Sequence, residues 1–84
     1  MRREKSFRGI NENLARTYLE NLGGETRDDG DVSGDGWRAS LSSETVSIGP
    51  SVELTEVTVV FEGDEETLDS LVERFSQKAM RAGG

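Results

Sequence analysis

The sequence predicts an α+β fold, a two-layer sandwich in the order β-α-β-β-β-β-α, with two helices on one face of an antiparallel sheet. Three observations carry that prediction. Val52 to Phe61 is the longest apolar stretch, rich in β-branched residues and bounded by Gly49-Pro50 and Gly63, which marks a strand. Trp37, Ala39 and Leu41 alternate with Arg38, Ser40 and Ser42, the pattern of a half-buried strand. Two further segments carry apolar residues at helical spacing.

Taken in order, Lys5 to Ile10 reads as a short first strand with Phe7 inward. Asn11 or Asn13 caps a helix whose stripe is Leu14, Ala15, Tyr18, Leu19 and Leu22, and Gly23-Gly24 ends it. A short polar strand is expected around Glu25 to Asp28, followed by a turn-rich loop to Gly36. Gly36 to Ser42 is the next strand, Ser43-Glu44 a turn, and Thr45 to Ile48 a partner strand with Val46 and Ile48 inward. In the final strand Val57, Val59 and Phe61 share one parity and Val52 and Leu54 the other. A bend near Thr55-Glu56 is therefore expected, to return both sets to one core. The last helix runs from about Asp64 to Arg81, with Asp64 as cap and Leu68, Leu71, Val72, Phe75 and Ala79 as its stripe.

Residues 1–84 read as a single domain, large enough to bury only about 60% of the unfolded chain's surface. The sequence has no cysteine and no histidine, so thiolate nucleophiles, Cys-based zinc sites and the commonest general base are all missing. No enzymatic role and no cofactor are expected. No apolar run approaches the roughly 20 residues of a membrane span, and the N-terminal residues do not lead into a signal-type apolar segment, so a soluble, cytoplasmic protein is expected. The net charge of −7 repels nucleic acid and anionic lipid, and with only two lysines it fits a halophilic-archaeal source. Against that acidity the first eight residues are basic, through Arg2, Arg3, Lys5 and Arg8. Such a strand either pairs with acidic neighbours or contacts an anionic partner, and pairing is the commoner outcome.

Candidate site residues are few. Asp31-x-Ser33-x-Asp35-Gly36 resembles the front half of a calcium loop, but its twelfth position is Ser42, not the bidentate glutamate that closes such a loop. No metal site is read there. Trp37 is either core or a ligand platform, and its place in the alternation favours core. Arg38 faces the opposite way and is the most plausible anion hook. Trp37 and Arg38 are thus the candidate binding residues, beside an open sheet face bearing Ser40, Ser42, Thr45 and Ser47.

Several strings carry a family resemblance: Asp35-Gly36-Trp37-Arg38-Ala39, Ser47-Ile48-Gly49-Pro50, Leu54-x-Glu56-Val57-x-Val59-x-Phe61-Glu62-Gly63 and Arg74-Phe75-x-x-Lys78-Ala79-Met80-Arg81-Ala82-Gly83-Gly84. From Lys5 to Gly84 the chain resembles the C-terminal domain of proteins related to MoaD, the small subunit of molybdopterin synthase, here standing alone. The resemblance implies a TATA-binding-protein-like arrangement and the company of sulfur carriers. None of the strings is a catalytic signature.

Two functional expectations follow. The first is a non-enzymatic accessory or interaction module of molybdopterin-type or related sulfur-carrier systems, using the open sheet face and the Trp37-Arg38 region. The second is a sulfur carrier or ubiquitin-like modifier activated at the carboxylate of Gly84, with Gly83 and Gly84 slender enough to thread an activating enzyme. The strand order lacks the ββαβ core of ubiquitin-like folds, which weighs against the second. The expected partner is a protein, either a sulfur carrier or an E1-like activating enzyme, and the expected state is a monomer or a weak dimer through an edge strand.

Overall fold

The computed structural model describes residues 1–83. It contains β1 (Arg2–Arg8), α1 (Glu12–Asn21), β2 (Glu25–Thr26), β3 (Val32–Gly34), β4 (Trp37–Gly49), β5 (Val52–Gly63) and α2 (Glu65–Gly83). The strands form one antiparallel sheet in the order β1-β5-β4-β3-β2, so the chain is α+β. No helix among the described residues is long and apolar enough to cross a membrane.

Each helix is set by its ends and its stripe. The Asn11 side chain accepts the Leu14 N–H at 2.7 Å, capping α1, and of its stripe Ala15 and Leu19 are fully buried. In α2 the buried residues are Leu68, Leu71, Phe75 and Ala79, with Val72 partly covered. These join Val32, Trp37, Ala39, Val57, Val59 and Phe61 in one core. Phe75 is its centre: its ring lies 5.1 Å from Phe7, 5.7 Å from Phe61 and 6.1 Å from Tyr18 by centroid, in tilted and edge-on geometries that suit aromatic quadrupoles.

The strand inventory differs from the sequence expectation in two compensating ways. Val32–Gly34 is a strand where a loop was expected, because Val32 is fully buried opposite Ala39. Residues 37–49 form one strand with no turn at Ser43-Glu44, since Ser43 and Glu44 pair in unbroken register with Val57 and Glu56. The turn lies at Pro50-Ser51 instead, where proline's missing N–H does no harm to a ladder.

The expected bend at Thr55-Glu56 is also absent. Register is continuous there, and the irregularity falls between Ser47 and Gly49, leaving Ile48 as the extra residue. Strict alternation therefore carries Val46, Val52 and Leu54 to the face away from the core. Ile48 is 53% exposed, Val52 52% and Leu54 37%. Their apolar side chains belong to the outer end of a long β4–β5 ribbon, which makes the molecule elongated at 43 × 26 × 21 Å.

β1 starts earlier than expected, at Arg2, and Ile10 lies beyond its end yet is buried. Its cations are largely paired: Arg2 with Glu4 at 3.6 Å, Arg3 with Asp69 at 3.1 Å and Arg8 with Glu56 at 3.0 Å. Where β5 meets α2, Gly63 holds φ 149°, and a Cβ on it would collide with the Gly36 carbonyl. Only glycine fits that junction.

Candidate interaction site

Trp37 and Arg38 open β4, and the pleat sends consecutive residues to opposite faces. Trp37 is 8% exposed and packs into the core, its indole against Gly34 and Gly24, either of which would clash with it if given a Cβ. Arg38 lies on the open face. The two expected binding residues thus serve different surfaces.

The Arg38 guanidinium is already occupied. It donates to Asp31 Oδ2 at 2.7 Å through Nη2 and at 3.2 Å through Nε, and to Asp29 Oδ2 at 2.9 Å. Ser40 Oγ donates to the same Asp31 oxygen at 3.3 Å, and Asp29 Oδ1 accepts the Asp31 N–H at 3.0 Å. Hydrogen bonding and the charge of Asp31, then that of Asp29, raise the pKa of Arg38 above its usual value, so it stays cationic throughout the working range. Asp31, the first carboxylate of the half calcium loop, therefore faces a built-in cation together with Asp29, whereas Asp35 does not. An incoming anion would have to displace them, which makes Arg38 an anchor for the loop more than a free hook.

Beyond this cluster the open face is mostly hydroxyl and charge. Ser6 and Thr58 share a 3.0 Å hydrogen bond across β1 and β5, and Ser42 lies beside Thr58 in register. Along the same face Glu44 sits opposite Glu56, and Val46 opposite Leu54. The result is a polar sheet surface grading into an apolar ribbon tip, a composition suited to a protein partner.

Trp37 also lines a cleft of about 350 Å³ on the core side of the molecule. Leu22, Trp37 and Leu71 give it apolar surface, Asp35 enters from the β3–β4 turn, and Thr67, Ser70 and Arg74 enter from α2. From the sequence Asp35 enters as a candidate only through the incomplete calcium-loop pattern, and Thr67, Ser70 and Arg74 are not among the site residues. The only available signal was the i, i+3, i+7 spacing of Thr67, Ser70 and Arg74, which puts them on one face of the helix, and that is hard to tell from ordinary solvation.

Gly83 closes α2, so the helix extends past the expected end at Arg81 and includes the first of the two glycines. Gly84 lies outside the described residues.

The family model described as "Archaeal MoaD-like protein" matches residues 3–84. No curated protein matches the chain.

Proposed function

The chain belongs to the archaeal MoaD-like family, and from that premise we propose that it acts in the cytoplasm as a small, non-enzymatic interaction module of a molybdopterin-type or related sulfur-carrier system. The observation that carries this reading is the open sheet face, whose ribbon tip leaves Ile48, Val52 and Leu54 in solvent beside the polar Ser42-Thr58 region. Exposed apolar side chains clustered on one face and rimmed by charge are what a protein contact needs. A composition without cysteine or histidine supports a binding role over a catalytic one. A TATA-binding-protein-like layering, with both helices covering one face, would leave this surface free. The acidic surface accords with a halophilic-archaeal source.

The test is a calorimetric titration of the protein with the sulfur carrier and, separately, with the E1-like activating enzyme of its own source. Saturable binding to either, weakened by Leu54→Asp and unaffected by deleting Gly83-Gly84, is the expected result. Binding that needs the glycines and ignores Leu54→Asp would sink the sheet-face reading.

A second reading has its own support: the family match extends over both Gly83 and Gly84. In it ATP adenylates the Gly84 carboxylate with release of pyrophosphate, and a sulfide-level sulfur nucleophile or a lysine amine then attacks the acyl carbon and displaces AMP. An activating enzyme takes its substrate as an extended chain, so this reading requires the last turn of α2 to unwind, since that helix holds Gly83. Mass spectrometry after incubation with ATP, a sulfide donor and the activating enzyme decides it. A mass shift at the carboxy-terminus supports the carrier, and no shift, with a known diglycine carrier reacting alongside, removes it.

A further inference from the structure

The cleft beside Trp37 holds two opposite charges that the rest of the fold does not use. Arg74 makes no ion pair with any described residue, and neither does Asp35, nor do the two pair with each other. Among the described residues the hydroxyls of Thr67 and Ser70 also lack side-chain hydrogen-bond partners. Among the described residues Arg3, Arg8, Arg16 and Arg38 contact carboxylates, whereas Arg27, Arg74 and Arg81 do not, and of these three only Arg74 lines the cleft. Arg74 and Asp35 border the same cleft from separate elements, and Leu22, Trp37 and Leu71 contribute its apolar lining.

The geometry points to a binding site for a small zwitterion with an apolar body, of which an apolar α-amino acid is the simplest chemical class. Arg74 receives the carboxylate, for which its planar fork of N–H donors is suited, with the Thr67 and Ser70 hydroxyls beside it on the same helix face. Asp35 receives the ammonium group. The hydrocarbon side chain lies on Leu22, Trp37 and Leu71. Either charge alone would be a poor recognition element: an anion meets Asp35 and an overall charge of −7, while a cation meets Arg74. A zwitterion satisfies both. The volume, about 350 Å³, falls at the small end of ligand pockets, which suits a single amino acid. Placing the site on α2 and the β3–β4 turn separates it from the open sheet face, so it does not depend on the partner proposed above.

Trp37 is the chain's only tryptophan, so its emission reports the site directly. The experiment titrates the full chain with L-leucine, and in parallel with N-acetyl-leucine, which lacks the ammonium, and leucinamide, which lacks the carboxylate. A saturable emission change with leucine is expected, with each analogue weaker by about tenfold or more, as lost charge-assisted hydrogen bonds require. Arg74→Gln should weaken leucine by about tenfold and abolish its preference over leucinamide, and Asp35→Asn should abolish its preference over N-acetyl-leucine. Both residues line an open cleft, and unchanged circular dichroism will show that the variants fold. No saturable response at millimolar leucine, equal binding of all three compounds, or a response unchanged in both variants would overturn the proposal.

Discussion

Val46 lies directly opposite Leu54 in the β4–β5 ladder, on the sheet face away from the core. Leu54 is 37% exposed, with Ile48 and Val52 more so, and the pair belongs to a partly exposed apolar tip. Leu54→Asp should therefore cost folding stability no more than about 1 kcal/mol while lowering affinity for the proposed protein partner at least tenfold. Urea denaturation and calorimetry on the same sample separate the two effects. A large loss of stability would place Leu54 in the core and void the assignment.

Phe75 should behave in the opposite way. It is fully buried and contacts three aromatic rings on β1, α1 and β5, so Phe75→Ala removes packing that ties both helices to the sheet. A loss of about 3–5 kcal/mol is expected, comparable with the whole stability of many small domains. Thermal unfolding followed by circular dichroism should show the variant largely unfolded or melting far below the parent.

The two glycine junctions make a paired test. At Gly63 a side chain meets both an unfavourable φ of 149° and the Gly36 carbonyl, whereas at Gly23 φ is 102° with open space around it. Gly23→Ala should cost about 1 kcal/mol, the left-handed backbone alone. Gly63→Ala should cost more, about 2 kcal/mol or above, because Gly36 and Trp37 must also move. Urea midpoints at constant slope measure both. Equal losses would show that the close approach at Gly63 is not felt.

Asn11→Ala tests the α1 cap. Its side chain satisfies the Leu14 N–H, and removing it should destabilise the protein by about 1 kcal/mol, while Asn13→Ala, outside the cap, should do much less. Chemical denaturation of the two variants gives the comparison.

How much of this was legible beforehand depended on whether a residue's neighbours in sequence or in space decide its place. A cap at Asn11 or Asn13, of which Asn11 is the one used, the α1 stripe, the α2 stripe and the inward set Trp37, Ala39 and Leu41 follow from local spacing. Val46, Ile48, Val52 and Leu54 do not, because the natural assumption that apolar residues go inside demanded a turn and a bend that the chain lacks. Their burial depends on how far the helices reach along the ribbon, a tertiary fact. Val32–Gly34 was missed for the converse reason, since its strand exists only through pairing with β4 and Glu25-Thr26. At the site, alternation correctly separated Trp37 from Arg38, but nothing local showed that Asp29 and Asp31 fold back onto the guanidinium, or that Asp35 and Arg74 share a cleft.

The pairing of β1 with β5 has a consequence for how the protein comes to be folded. Arg8 meets Glu56 and Arg2 meets Glu62, so the first strand waits for the last. The β4–β5 hairpin can zip from its own turn within roughly 1–10 µs, whereas β1 must close a loop of about fifty residues, at an entropic cost that grows as the logarithm of loop length. On the ribosome the basic strand emerges before β5 and stays unpaired until β5 follows. Its four cations then find themselves tethered to a chain whose remainder is strongly acidic, and that attraction raises their local encounter rate with Glu56 and Asp69. The uneven charge thus shortens the search of the one strand with furthest to travel. By the same physics, refolding should slow as salt is added at low ionic strength, where screening first becomes effective.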